Sequence, residues 1–331
     1  MTLGLSALLL LSGTSTALEG QEPHLVVISG LGGDPQFRAD FVEWGARLVD
    51  AARDAGVDPG NIVFLAEDPD ADPERISGRS TAEVIEETFA SVASRAAPED
   101  RVLVVLIGHG SGSGEESRVS IPGPSLTAAD YRRLLETLAP RQVALVNAAS
   151  ASGDFIPVIA GDGRIVVTAT RSAQQRNATI FGRHFVEAFT GDGADLDRDG
   201  RVSLLEAFEY ARQETERHFR DRGLISSEQA LLEDRSDGRG VALPTEDPEV
   251  GLLASRFFLQ PPGGTAVAGD PAASDRLREL YMEEDAIETR IAQLGGQRDE
   301  LGEEAYQDAL QELIVELARI GQEIRALEEG G

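Results

Sequence analysis

The sequence predicts an α/β protein, a mainly parallel sheet with helices on both faces, followed by an α-helical hairpin. Three observations predict it. Short, continuous apolar runs such as Val102–Ile107 recur, the pattern of strands buried on both faces. They alternate with segments of helical periodicity, and a β-α-β-α-β order favours a parallel sheet with right-handed crossovers. From Asp275 onward the pattern changes to charged helix, with apolar residues every three or four positions.

Taken in order, Met1–Ala17 holds the apolar run Leu3–Leu11 followed by Ser12-Gly-Thr-Ser-Thr-Ala17. The run is shorter than the roughly 20 apolar residues of a membrane span. It fits a secretory h-region with a small-residue cleavage site, so residues 1–17 read as a signal peptide and the protein as secreted or periplasmic. No later segment of the sequence is apolar enough to span a bilayer.

His24–Ser29 is the first strand, and Gly30-Leu-Gly-Gly33 turns it into a helix over Phe37–Ala55. A strand at Asn61–Leu65, a helix at Thr81–Arg95 and the most apolar strand, Arg101–Ile107, follow. Beyond His109 and a glycine-serine turn, Thr127 is the N-cap of a helix over Ala128–Leu138. Val143–Asn147 and Arg164–Thr168 are the next strands, the second opening into a polar loop, Thr170–Asn177. Helices then cover Ile180–Phe189 and the stretch from Glu206 to Phe219. Asp234–Gly238 reads as a surface turn and Ser255–Leu259 as a late edge strand. The α/β domain therefore spans 22–260. A Pro/Gly/Ala linker occupies 261–274, and the hairpin, broken at Gly295-Gly296, occupies 275–329. Such a hairpin either folds back on its own domain or pairs two copies of the chain in a homo-oligomer.

Composition narrows the chemistry. With 58 acidic and 30 basic side chains the formal charge is −28, which repels phosphate backbones and excludes nucleic acid as a natural partner. Cations are the matching ligands. The chain contains no cysteine, so disulfides, thiolate metal sites and a cysteine nucleophile are all excluded.

The strongest local motif is Asp195-Leu-Asp197-Arg-Asp199-Gly200-Arg201-Val-Ser203-Leu-Leu-Glu206. It matches a calcium loop of the D-x-D-x-D-G-x5-E type position by position. The implied Ca2+ ligands are the carboxylates of Asp195, Asp197 and Asp199, the Arg201 carbonyl, Ser203 (directly or through water) and the Glu206 carboxylate.

Two further residues sit where open α/β sheets place their ligands, beyond the carboxyl ends of strands. His109 lies between glycines past Ile107, and Ser150 lies past Asn147 in Ala148-Ala-Ser150-Ala-Ser152-Gly153. The pair suggests a nucleophile and base of the acyl-transfer type, with the backbone N–H groups of Gly110 and Ser150 as an oxyanion hole.

Strand-His-Gly followed by strand-Ala-x-x-Ser-Gly resembles the caspase-like cysteine peptidases, and most closely the legumain branch, which includes the transamidase subunit that attaches lipid anchors. Gly30–Gly33 with Phe37-Arg38, and Ile165–Thr170 after Ser150, are similar to that family as well. The resemblance covers about residues 22–190. It implies a caspase-like fold, peptidase or transamidase chemistry, a peptide or protein ligand, and Arg38 in a pocket for an acidic or amide side chain. Ser150 stands in the place of the family's cysteine, and alanines 148 and 151 replace two acidic positions. A cysteine paired with histidine is a pre-formed thiolate, whereas a serine hydroxyl needs a general base held by an orienting group. These departures imply a catalytically degenerate, calcium-binding, peptide-binding homologue. The alternatives are an active serine-type endopeptidase or transamidase using Ser150 and His109, and a calcium-stiffened interaction protein working through the hairpin.

Overall fold

The structure is a computed structural model describing residues 21–139, 142–191, 193–198, 200–244, 247 and 249–261, part of 276–294, and 302–329. The signal peptide expected at 1–17 and the linker beyond residue 261 lie outside the described residues.

The described residues hold nine strands: β1 (Pro23–Ser29), β2 (Ile62–Ala66), β3 (Gly78–Arg79), β4 (Arg101–Ile107), β5 (Gly110–Ser111), β6 (Arg118–Val119), β7 (Gln142–Asn147), β8 (Arg164–Thr168) and β9 (Leu231–Glu233). Seven form one sheet in the order β3-β2-β1-β4-β7-β8-β9. All neighbours are parallel except β9, which runs antiparallel to β8 with Val167 opposite Leu232. This is the mostly parallel, helix-flanked sheet the sequence predicts, consistent with a caspase-like layout. The remaining two strands, β5 and β6, form a small antiparallel ribbon directly after His109.

Helices α1 (Pro35–Asp54), α5 (Phe181–Thr190) and α6 (Leu204–Asp221) cover one face, and α2 (Ala82–Arg95), α3 (Ala128–Glu136) and α4 (Ile156–Ile159) the other. Alternation along β4 shows why its sequence is apolar throughout. Leu103, Val105 and Ile107 enter the core under α1 and α5, while Val102, Val104 and Leu106 enter the core under α2 and α3. The helices start where their caps dictate. Asp34 accepts the Gln36 N–H at the head of α1, and Thr127 with Asp130 forms a capping box on α3.

Two local expectations are corrected. Ser255–Leu259 is not a strand: Ala254–Arg256 is a 3-10 turn, and Phe258 makes one isolated bridge to Ser203. Its apolar residues, Phe257 to Leu259, are buried by packing, which sequence alone does not separate from ladder pairing. The edge strand is instead the three-residue β9. Asp234 is likewise no simple surface residue. It is buried and accepts the N–H groups of Gly251, Leu253 and Ala254, satisfying backbone donors that would otherwise be orphaned.

At the C-terminus, α7 (Glu303–Glu329) packs against the helical residues of 276–294. Leu277, Leu280, Ile287 and Leu294 share a core with Leu313, Ile320 and Ile324. Arg276 pairs with Glu323 at 2.9 Å and Arg290 with Glu316 at 3.6 Å, so the two segments run antiparallel. Arg201 joins this hairpin to the sheet domain. Its guanidinium lies 4.0 Å from the ring centroid of Phe258, 4.9 Å from that of Tyr281 and 3.9 Å from Glu284.

Candidate functional site

The sheet order reverses between β1 and β4: the chain builds outward through β2 on one side and through β7 and β8 on the other. Crevices form at such switch points, beyond the carboxyl ends of the strands. Ser29 of β1 lies opposite Ile107 of β4, which places Gly30–Gly33 and His109 at that crevice. Asn147 of β7 pairs with Leu106, which brings Ser150 to the neighbouring strand end.

His109 and Ser150 meet through the backbone. The Gly110 N–H donates to Ser150 Oγ at 3.1 Å, and a Cβ added at Gly110 would lie 2.0 Å from the Ser150 carbonyl oxygen. Only glycine fits that approach. The Ser150 hydroxyl is buried, and it makes no hydrogen bond with the His109 ring. The imidazole turns the other way. Its Nε2 sits 3.2 Å from the Gly32 carbonyl, and its ring packs edge-on against Phe37 and Phe41 at centroid distances of 4.8 and 5.2 Å. A carbonyl only accepts, so Nε2 carries the proton and Nδ1 of the neutral ring is left as the basic nitrogen.

Arg38 belongs to the same edge. Its Nε is 3.4 Å from Glu67 Oε2, and that oxygen also accepts the Gly32 N–H at 3.1 Å. Glu67, the first residue past β2, thus holds the residue whose carbonyl His109 contacts. Sequence reasoning missed it; the available signal was an acidic residue at a strand's carboxyl end. The turn that carries Ser150 is held from the other side. Ala151 adopts φ 53°, unusual without glycine, and its N–H donates to the Gln175 carbonyl. Thr170 Oγ1 accepts the N–H groups of Ser152 and Gly153 at 2.7 and 3.3 Å. The polar loop 170–177 therefore braces the Ser150 turn.

The acidic loop lies elsewhere, between α5 and α6. Carboxylate oxygens of Asp195, Asp197 and Glu206 lie within 4.8 Å of one another, an acidic group that could hold a metal ion. Asp199, the third aspartate of the motif, lies outside the described residues. Gly200 has φ +84° and donates its N–H to Asp195, which folds the loop back on itself. Ser203 and Glu206 form the capping box of α6, and the second Glu206 oxygen accepts the N–H groups of Leu196 and Asp197 at 2.8 and 3.3 Å. Helix capping therefore holds the Glu206 carboxylate over the loop. The Arg201 side chain makes the aromatic contact with the hairpin. An all-oxygen donor set of this kind suits a hard cation such as calcium.

One buried carboxylate absent from every sequence motif is Glu228. Its oxygens accept the N–H groups of Ile180 and Phe181 at the start of α5 at 2.9 to 3.0 Å. Burial pushes its pKa up from 4.5 to about 7, against the opposing pull of those two donors.

No family model matches the chain, and no curated protein matches it. Among solved structures it is similar to protein GSU0716 from Geobacter sulfurreducens, at 10% sequence identity and a TM-score of 0.41, over 64% of this chain and 92% of that one. No helix among the described residues is long and apolar enough to cross a membrane.

Proposed function

We propose that this chain is an exported, calcium-binding homologue of the legumain-like peptidases whose peptidase chemistry is silent and whose cleft serves to bind peptide. The observation that carries this reading is the separation of the two chemical groups. The Ser150 hydroxyl is buried on the Gly110 N–H, while the His109 ring is anchored on the Gly32 carbonyl. A serine needs its proton removed during attack, and no hydrogen bond links it to a base. The same bond occupies the Gly110 N–H, one of the two donors an oxyanion hole would use. Calcium binding is supported by the convergence of Asp195, Asp197 and Glu206 in a loop whose turn and cap are already formed. Export is supported by the apolar Leu3–Leu11 segment and its small-residue flank.

A second reading rests on one specific observation. With Nε2 held by Gly32, Nδ1 of His109 is left to act as a base, so a movement of the Ser150 turn that brought its hydroxyl to that nitrogen would assemble a serine hydrolase or transamidase.

A fluorophosphonate probe, applied to the purified protein in the presence of calcium, separates the two. The silent reading expects no labelling above that of Ser150→Ala. Labelling that disappears in Ser150→Ala overturns it in favour of the active enzyme. For the metal, titration calorimetry of chelator-treated protein should show calcium uptake that Asp195→Ala abolishes. Equal uptake by both proteins refutes the loop assignment.

A further inference from the structure

We propose that His184 on α5 and His218 on α6 form a binding site for a divalent transition-metal ion such as zinc, separate from the acidic loop. His184 is 8% exposed, and its Nε2 has no hydrogen-bond partner among the described residues. The other ring nitrogen, Nδ1, lies 2.6 Å from Glu187 Oε2. A carboxylate accepts and does not donate, so in the neutral ring Nδ1 holds the proton and Nε2 presents its lone pair. This is how carboxylates orient metal-ligating histidines: the outer partner fixes the tautomer and aims the inner nitrogen.

A buried polar atom without a partner is destabilising, and native structures resolve such atoms with water or an ion. The second ring favours the ion. Of the four histidines in the chain, His184 and His218 are the pair whose rings meet, edge to face with centroids 6.5 Å apart. His218 is only half-buried, so its ring can swing and an ion can reach the gap from solvent. Zinc–imidazole bonds of about 2.0–2.1 Å require the His218 ring to rotate and close on the ion beside His184.

Two imidazoles select zinc, copper(II) or nickel over calcium or magnesium, which demand oxygen donors. The nearby cations are already engaged. Arg183 pairs with Glu187 at 2.8 Å, and the Arg222 guanidinium donates to the His218 carbonyl at 3.2 Å. With α5 and α6 packed along their length, an ion between these rings would cross-link the two helices that flank the acidic loop.

The test uses full-length, chelator-treated protein and zinc alone. Zinc at micromolar concentration should raise the melting temperature of wild type by a few degrees, because a ligand bound only by the folded state stabilises it by mass action. The shift should vanish in His218→Asn, which alters a half-exposed ring, and in His184→Gln, and should persist in Asp195→Ala. Cobalt(II) in place of zinc should give a visible absorption band in wild type that both histidine variants lack. A wild type unmoved by zinc and without a cobalt band overturns the proposal. So does a response retained in both histidine variants, which would place the ion elsewhere, or one lost in Asp195→Ala, which would place it in the acidic loop.

Discussion

Glu228 makes the folding stability of this protein depend on pH in a direction opposite to that of most carboxylates. Its pKa rises from 4.5 in the unfolded chain to about 7 in the fold, because burial removes solvation from the ionised form. A carboxylate whose folded pKa is raised contributes stability that is fully present below about pH 4.5 and is lost as pH rises through about 7. At about 1.4 kcal/mol per tenfold, the full effect is about 3 kcal/mol, of which about 2 kcal/mol falls between pH 5 and pH 8. The assay is urea unfolding of wild type and Glu228→Gln across that range. Glutamine keeps an oxygen for the α5 N–H groups but cannot ionise, so the variant should lose about 2 kcal/mol less stability than wild type on going from pH 5 to pH 8. Parallel pH profiles for the two proteins would refute the reasoning. They would mean that the Ile180 and Phe181 donors fully offset the burial of the charge.

Two other substitutions test the geometry around the cleft and the sheet edge. Gly110→Ala brings a methyl group to 2.0 Å from the Ser150 carbonyl oxygen, a backbone atom that cannot rotate away. It should cost at least about 2 kcal/mol by thermal or urea denaturation; an unchanged melting temperature would show that the β4 and β7 ends are not packed as described. Asp234→Ala leaves the Gly251, Leu253 and Ala254 N–H groups without their acceptor and should cost about 2–4 kcal/mol. Faster amide exchange at those three positions is the specific check, since general loosening would also reach β8.

Much of the fold was legible from periodicity. The strands at Arg101–Ile107 and Arg164–Thr168 run as read, and the α3 helix begins at the Thr127 cap read from the chain. These elements are long, and their local preference agrees with the burial they find. The late strand was misread because Phe257–Leu259 is apolar for packing reasons, and β9 was missed because three residues carry no measurable period. At the site, His109 and Ser150 fall on the carboxyl edge of the sheet, as strand-end reasoning implies, and Arg38, which only the family resemblance singled out, joins that edge through Glu67. Glu67 was missed although an acidic residue at a strand's carboxyl end was a signal, and the roles of Thr170 and the Gly32 carbonyl were not legible, because they act through contacts between segments that no local pattern encodes.

By itself, then, the sequence determined the alternation of strand and helix, the C-terminal helical hairpin, the absence of any thiol chemistry and the acidic loop, all properties of residue type and short-range spacing. Only the tertiary structure decided which way His109 faces, what holds the Ser150 hydroxyl, and that the Arg201 guanidinium meets the hairpin at Tyr281. Those outcomes depend on which groups the packed sheet brings within about 3 to 5 Å. Hydrogen-bond and ring-stacking forces choose among partners only at that range.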